Sequence, residues 1–191
     1  MILGAFRRGG PNRNIHGLYG AIVAQARSPV FYTHYGISDS VEGRFELIVL
    51  HLVLVLRRLG AKGAAASGHG PSLGPGSAVG QRLFDVFCRD LDDNLREMGV
   101  GDLAVPRKMR QFGEAFYGRQ AAYGAALAAA DPQELEKALA RNILGELDAG
   151  EKAVPLARYM RAAAAQLDAQ PEDSLIAGRA VFPSPETLVN A

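Results

Sequence analysis

The stretch SDSVEGRFELIVLHLVLVLRRLG, residues 38–60, decides the fold. Its start is typical of a capped helix, because Asp39 is followed three residues later by Glu42 and the two can satisfy free backbone N–H groups reciprocally. Apolar residues recur at steps of three and four and also fill most other faces, so we expect protein on every side of this helix. Gly60 marks its expected end. The main stripe is Val41, Phe45, Ile48, Leu52, Leu56 and Leu59.

Five further segments show the spacing and punctuation of helices. Pro106 and Pro132 suit a first helical turn, and Gly99 and Gly150 suit helix ends. No segment alternates persuasively as a strand. The expected helices cover residues 15–26, 81–98, 106–129, 132–146 and 152–167. The sequence therefore predicts an all-α fold, a compact multi-helix bundle around the buried central helix.

Residues 61–80 differ in composition from the segments on either side. This stretch, AKGAAASGHGPSLGPGSAVG, is rich in glycine, alanine, serine and proline. Such a composition cannot bury enough apolar area to offset its chain entropy. We expect a flexible loop at about 61–80 within one helical domain that spans residues 1–191.

The overall composition narrows the range of functions. Twenty-one basic and twenty acidic residues give a formal net charge of +1, which is too balanced for a protein that mainly binds nucleic acid. The four histidines are scattered, and the single cysteine, Cys88, has no base near it in sequence. We therefore expect no metal, no cofactor and no catalytic residue. His51, inside the central helix, is expected to be a buried histidine with a hydrogen-bond partner.

The sequence also bears on location. No export signal is readable at the start of the chain, and one cysteine cannot form an internal disulfide, which favours a reducing compartment. The most apolar run, residues 47–56, is about half the roughly 20 residues that a helix needs to span a bilayer. We therefore expect a cytoplasmic protein.

A row of alternating charge lies in the helix predicted at 81–98, around the stretch CRDLDDNLREMG at residues 88–99. Steps of three and four place the charges on one helical face and the apolar residues on the opposite face. The apolar set is Leu83, Phe84, Phe87, Leu91, Leu95 and Met98. The residues at these steps are Arg82, Asp85, Arg89, Asp92 and Arg96. Asp93 lies next to Asp92, and all six residues together are here called the charged row.

Three interpretations of the charged row stay open at this point. It can be a solvated face whose ion pairs each contribute about 0.3–0.5 kcal/mol, or a face on which a protein partner docks. It also contains the pattern Asp90-x-Asp92-Asp93, which matches the acid motif of class II terpene cyclases. That match suggests an alternative, an all-α enzyme acting on an isoprenoid substrate with Asp92 and Asp93 as acid or metal-binding residues.

A second charged group follows in VPRKMRQFGEAFYGR, residues 105–119. Arg107, Lys108 and Arg110 lie near the start of a predicted helix, where the helix dipole opposes positive charge by about 0.3–1 kcal/mol each. Either Asp102 and Glu114 neutralise these cations, or the cations contact an anion outside the chain. That anion could be a lipid headgroup or an acidic partner.

Two long segments carry a resemblance to a known family. The segment LYGAIVAQARSPVFYTHYGISDSVEGRFELIVLHLVLVLRRL, residues 18–59, is followed by LFDVFCRDLDDNLREMGVGDLAVPRKMRQFGEAFYGR, residues 83–119. Together they resemble the ubiquinol-cytochrome c chaperone family, and the likeness extends over about residues 18–182. The glycine-rich stretch after Gly60 looks like an insertion.

The resemblance implies a non-enzymatic, mostly helical assembly factor of the ubiquinol-cytochrome c reductase. Such a protein binds newly made cytochrome b, and mitochondrial members act with a small partner protein. For this chain the resemblance suggests a bacterial member that works in the cytoplasm, peripherally at the inner face of the inner membrane. It does not assign roles to single residues. The charged row as docking face, and the anionic contact of Arg107, Lys108 and Arg110, are hypotheses from helical geometry.

Overall fold

The computed structural model describes residues 11–66, 75–145 and 151–189. The larger helices are α1 (Pro11–Ala26), α3 (Val41–Ala66), α4 (Pro75–Glu97), α5 (Val105–Ala128) and α7 (Val154–Ala169). Shorter helices are α2 (Val30–Thr33), α6 (Gln133–Leu139) and α8 (Glu172–Ile176). A π-helical turn, Ala140–Leu144, follows α6, and 3₁₀ turns lie at Glu151–Ala153 and Pro185–Leu188. The all-α prediction is confirmed.

Helix α3 forms the centre of the fold, as the sequence predicted. It packs against α1, α4, α5 and α7. Because neighbours lie on all its sides, consecutive residues from Leu52 to Val55 are all fully or almost fully buried. His51 is completely buried beside them and has hydrogen-bond partners, which confirms its prediction as a core histidine.

The start of α3 differs from the prediction. Ser40 caps the helix, since its Oγ accepts a hydrogen bond from the Gly43 N–H at 3.1 Å. Asp39 instead accepts a hydrogen bond from Nε of Arg44 at 2.7 Å. The proposed capping pair of Asp39 and Glu42 is therefore wrong. Val41, assigned to the apolar stripe, is 62% exposed because it lies at the first turn, beyond the reach of the neighbouring helices.

The predicted loop at 61–80 is wrong at both of its ends. Helix α3 continues to Ala66 and α4 begins at Pro75, whereas residues 67–74 lie outside the described part of the chain. Alanine is the strongest helix former, so the alanines of 61–66 favour continuation of α3. At the other end, Gly80 serves packing: a Cβ there would lie 3.3 Å from Leu56 Cδ2, and its absence lets α4 approach α3 closely.

The region after α5 is also more broken than predicted. The helix expected at 132–146 is α6 followed by the π-helical turn, which ends at Gly145 with φ of 70°. The segment after α8 packs against the N-terminal part of the protein. Tyr35 donates a hydrogen bond to the Pro185 carbonyl at 2.8 Å, and Gln25 Nε2 donates to the Pro183 carbonyl at 2.9 Å. These contacts fix residues 183–185 against α1 and the segment that follows α2.

Candidate protein-docking surface

Helix α4 presents the charged row because its two sides differ in chemistry. Leu83, Phe87 and Leu95 are buried against the core, as predicted, and Phe84 and Leu91 are half-buried. Met98 was expected on this apolar side but is 56% exposed. The reason is that α4 ends at Glu97, so Met98 belongs to the following turn and no longer follows the helical spacing.

The charged row lies on the outer side of α4. Its members Arg82, Arg89, Asp93 and Arg96 are exposed, and Asp85 and Asp92 are half-buried. At the C-terminal end, Arg96 Nε donates to Asp92 Oδ2 at 2.7 Å, and Arg96 also pairs with Asp102. Asp85 accepts a hydrogen bond from Gln81 Nε2 at 2.9 Å. The row therefore has a paired end at Arg96.

The other end of the row lines a groove. Its volume is about 400 Å³ and it lies between α1 and α4. Within the described residues, Arg82 and Arg89 have no ion-pair partner. The lining residues are Asn12, Ile15, His16, Arg82, Asp85, Val86 and Arg89. A groove with two guanidinium groups at its edge that lack an ion-pair partner in the described chain can bind an acidic or carbonyl-rich segment of a partner.

Tyr19 and Asp90 fasten α1 to α4 next to this groove. The Tyr19 hydroxyl donates to Asp90 Oδ2 at 2.7 Å. Burial raises the pKa of Tyr19 well above its usual value, and the hydrogen bond to Asp90 adds to the rise. The phenol therefore stays protonated as the donor of this link. The spacing of α4 could not reveal the contact, because its other half comes from a distant helix.

The three carboxylates of the D-x-D-D pattern do not converge. Asp90 binds Tyr19, Asp92 binds Arg96, and Asp93 is exposed. Neither Asp92 nor Asp93 lines the α1–α4 groove. Within the described residues, no group of three or more histidine, cysteine, aspartate or glutamate side chains is arranged to hold a metal ion. This geometry gives no support to the isoprenoid alternative.

Arg107, Lys108 and Arg110, here called the basic cluster, are all exposed near the start of α5. None of them forms an ion pair with another described residue. Asp102, one of the two residues considered for neutralising them, pairs with Arg96 instead. The dipole penalty on these cations is thus not relieved by a close carboxylate within the described parts of the chain.

Comparison with known proteins then identifies the family. Residues 33–182 match the family model described as ubiquinol-cytochrome C chaperone. The chain belongs to the ubiquinol-cytochrome c chaperone family. Both the charged row and the basic cluster lie inside the matched range. The match begins at residue 33, later than the resemblance at residue 18, so the whole of α1, which forms one wall of the groove, lies outside it.

A solved structure agrees with this membership of the chaperone family. The crystal structure of the Cbp3 homolog from Brucella abortus is similar to this chain, with a TM-score of 0.79 and 34% sequence identity. The likeness covers 93% of this chain and 93% of the other. A comparison with curated proteins finds no match. In the described parts of this chaperone, no helix has the length and apolar character to cross a membrane.

Proposed function

We propose that this assembly chaperone binds newly made cytochrome b and supports its maturation into the ubiquinol-cytochrome c reductase. The observation that carries the proposal is the family match over residues 33–182. The exposed charged row on α4 supports it with a surface suited to a protein client. The proposed role is non-enzymatic and needs no cofactor or metal.

The charged row and the α1–α4 groove are the proposed docking surface. Cytochrome b consists of apolar membrane helices joined by polar loops, so a protein outside the bilayer meets the loops first. Arg82 and Arg89 are the proposed contacts at the groove, because they are exposed and have no ion-pair partner among the described residues. Arg96 is expected to contribute less, since its Nε already binds Asp92 and its Nη1 already binds Asp102.

Release of the client follows from differential affinity. The chaperone needs to bind immature cytochrome b more tightly than the mature form, which happens if haem and partner subunits later cover the same loops. We place this exchange at the cytoplasmic face of a bacterial inner membrane. A small partner protein, as in mitochondrial members of the family, is a further candidate for the same surface.

Affinity purification of the tagged chaperone tests the proposal. The chaperone is isolated from detergent-treated membranes of cells that synthesise labelled cytochrome b, before and after haem depletion. We expect labelled cytochrome b in the eluate, with more of it when haem is depleted and maturation stops. Absence of cytochrome b from the eluate of a folded chaperone contradicts the proposed client.

A further inference from the structure

The turn between α4 and α5 exposes apolar side chains next to the basic cluster. Leu103 is 99% exposed and Met98 is 56% exposed, and both lie within residues 98–104, here called the corner. A single exposed leucine is ordinary on a protein surface. Here, however, residues 98–110 contain both exposed apolar residues and also three cations. None of these cations has an ion-pair partner in the described chain.

The backbone of the corner holds Leu103 outward. The end of α4 is closed by a hydrogen bond from the Val100 N–H to the Leu95 carbonyl at 3.0 Å. The Gly101 carbonyl then accepts from the Ala104 N–H at 2.8 Å and from the Val105 N–H at 3.2 Å. Leu103 thus lies in a hydrogen-bonded turn that leads directly into α5, whose residue Val105 is buried. The exposure of Leu103 is built into this turn.

The charge around the corner is positive. Residues 96–110 contain four basic and two acidic side chains, a local net charge of +2. Of the two acids, Asp102 is already paired with Arg96. Two further acids are exposed nearby: Glu97, and Glu114 one turn beyond the basic cluster. They reduce the positive electrostatic potential but form no ion pair with the basic cluster.

We propose that the corner and the basic cluster together bind an anionic lipid surface. Leu103 inserts among the acyl chains close to the headgroups, Met98 contacts the same layer, and Arg107, Lys108 and Arg110 bind lipid phosphates. An apolar side chain combined with several cations is the kind of dual signal that holds a protein at a membrane interface reversibly. A soluble acidic partner would use the cations but has no need of a protruding Leu103.

This site goes beyond client binding. It lies at the start of α5, whereas the proposed client groove lies between α1 and the middle of α4. The chaperone would then use two surfaces, one that places it at the bilayer and one that binds the loops of a membrane protein there. Loss of membrane binding and loss of client binding can be measured separately, because vesicle binding needs no client and client binding can be measured in detergent.

Vesicle flotation of the purified full chain tests the site. The vesicles are phosphatidylcholine alone, or three parts phosphatidylcholine to one part phosphatidylglycerol. The triple variant Arg107→Gln, Lys108→Gln, Arg110→Gln should lower the partition coefficient for anionic vesicles about 100-fold at low salt. Leu103→Asn should lower it roughly ten-fold while leaving all charges in place. High salt should weaken binding of the wild type far more than that of the triple variant.

A matched variant controls for net charge. Arg13, Arg27 and Arg179 are also exposed, and their replacement by glutamine removes the same three charges. This control should float within about three-fold of the wild type, because the loss is not local to the corner. Circular dichroism of all variants should match the wild type and no thermal midpoint should fall, since every substituted side chain is exposed. The triple variant should be at least as stable as the wild type, because it removes the dipole penalty on the basic cluster.

Three results overturn the proposal. The first is equal flotation of the wild type with neutral and anionic vesicles. The second is equal flotation of the triple variant and its control. The third is a wild type that binds soluble polyglutamate but no vesicles, where the triple variant loses the binding to polyglutamate and Leu103→Asn keeps it. That third result assigns the basic cluster to an acidic protein instead of a lipid surface.

Discussion

His51 and Tyr159 lie 108 positions apart in the chain and share a hydrogen bond of 2.7 Å in the core. His51 Nδ1 lies 2.7 Å from the Leu47 carbonyl, which can only accept, so Nδ1 carries the proton. Tyr159 therefore donates its hydroxyl proton to Nε2 and accepts a hydrogen bond from Gln25 Nε2 at 2.9 Å. This network joins α1, α3 and α7 and requires a neutral imidazole.

The first prediction concerns acid stability. Burial lowers the pKa of His51 from 6.5 to about 4. Between these two pKa values the unfolded chain takes up a proton that the folded chain excludes. The contribution of neutral His51 to the free energy of unfolding is therefore fully present above about pH 6.5 and is lost as the pH drops towards about 4. The loss should be on the order of 3 kcal/mol. Urea unfolding across this range measures it.

Two variants separate His51 from the carboxylates that also titrate in acid. His51→Gln should be less stable at neutral pH but should show a smaller fall in stability between about pH 6.5 and 4, because the buried imidazole is gone. His34→Gln alters an exposed histidine and should keep the wild-type fall. An unchanged fall in His51→Gln would show that the network does not exclude the proton.

The second prediction concerns the ion pair of Glu46 and Arg119, whose side chains are 11% and 19% exposed. Arg119 binds both carboxylate oxygens of Glu46. Burial still raises the pKa of Glu46 above its usual value, so desolvation exceeds the help from Arg119. Arg119→Met should cost about 3 kcal/mol, since it leaves a buried carboxylate unpaired. Denaturant unfolding measures the change.

A double variant completes this test. Glu46→Leu combined with Arg119→Met should recover most of the stability lost in Arg119→Met, because no uncompensated charge remains. If the double variant is instead the least stable of the set, the pair contributes net stability and the desolvation argument is wrong.

The third prediction concerns the proposed docking surface. Arg82→Glu with Arg89→Glu should lower cytochrome b binding in detergent at least about ten-fold, because it replaces two cations that line the groove with acids. The free energy of unfolding should change by no more than about 0.5 kcal/mol, since both residues are exposed. Co-purification and urea unfolding provide the two measurements.

The control for the docking variant is Arg13→Glu with Arg27→Glu, which makes the same charge change outside the groove lining. This control should keep client binding. Equal binding by the groove variant and the control means that the charged row is an ordinary solvated face.

The fourth prediction concerns the contact between Gly178 and α1. Gly178 has φ of +86°, and a Cβ there would lie 2.6 Å from the Asn14 carbonyl oxygen. Gly178→Ala should therefore cost more than the roughly 1–2 kcal/mol of left-handed backbone strain alone. Gly36→Ala is the matched control, with φ of +70° and nothing within 4 Å. Thermal unfolding should show a smaller loss for Gly36→Ala; equal losses would mean that α1 shifts to make room.

The sequence predicted those features that depend on local periodicity. The continuous apolar character of residues 47–56 was sufficient to predict a buried α3, and the steps of α4 were sufficient to separate Leu83 and Phe87 from the charged row. Local composition misled at 61–80, because glycine next to alanine suggested a loop, whereas Gly80 is a contact point between α3 and α4.

Features made by distant residues were not predictable in the same way. The α1 wall of the groove and the Tyr19–Asp90 link depend on how two helices meet, and neither helix alone carries a signal for that meeting. Leu103 is different, because an apolar residue inside the turn-forming stretch GVGDL is visible in the sequence. Its near-complete exposure nevertheless required the structure.

The hydrogen bond from Tyr35 to Pro185 limits how early this chaperone can complete its own fold. The two partners are 150 positions apart, so Tyr35 leaves the ribosome long before the segment that covers it exists. Because contacts of such long range form late, α1 and the segment after α2 stay partly uncovered during synthesis. A protein whose proposed task is to shield an unfinished client thus passes through a long unfinished stage of its own.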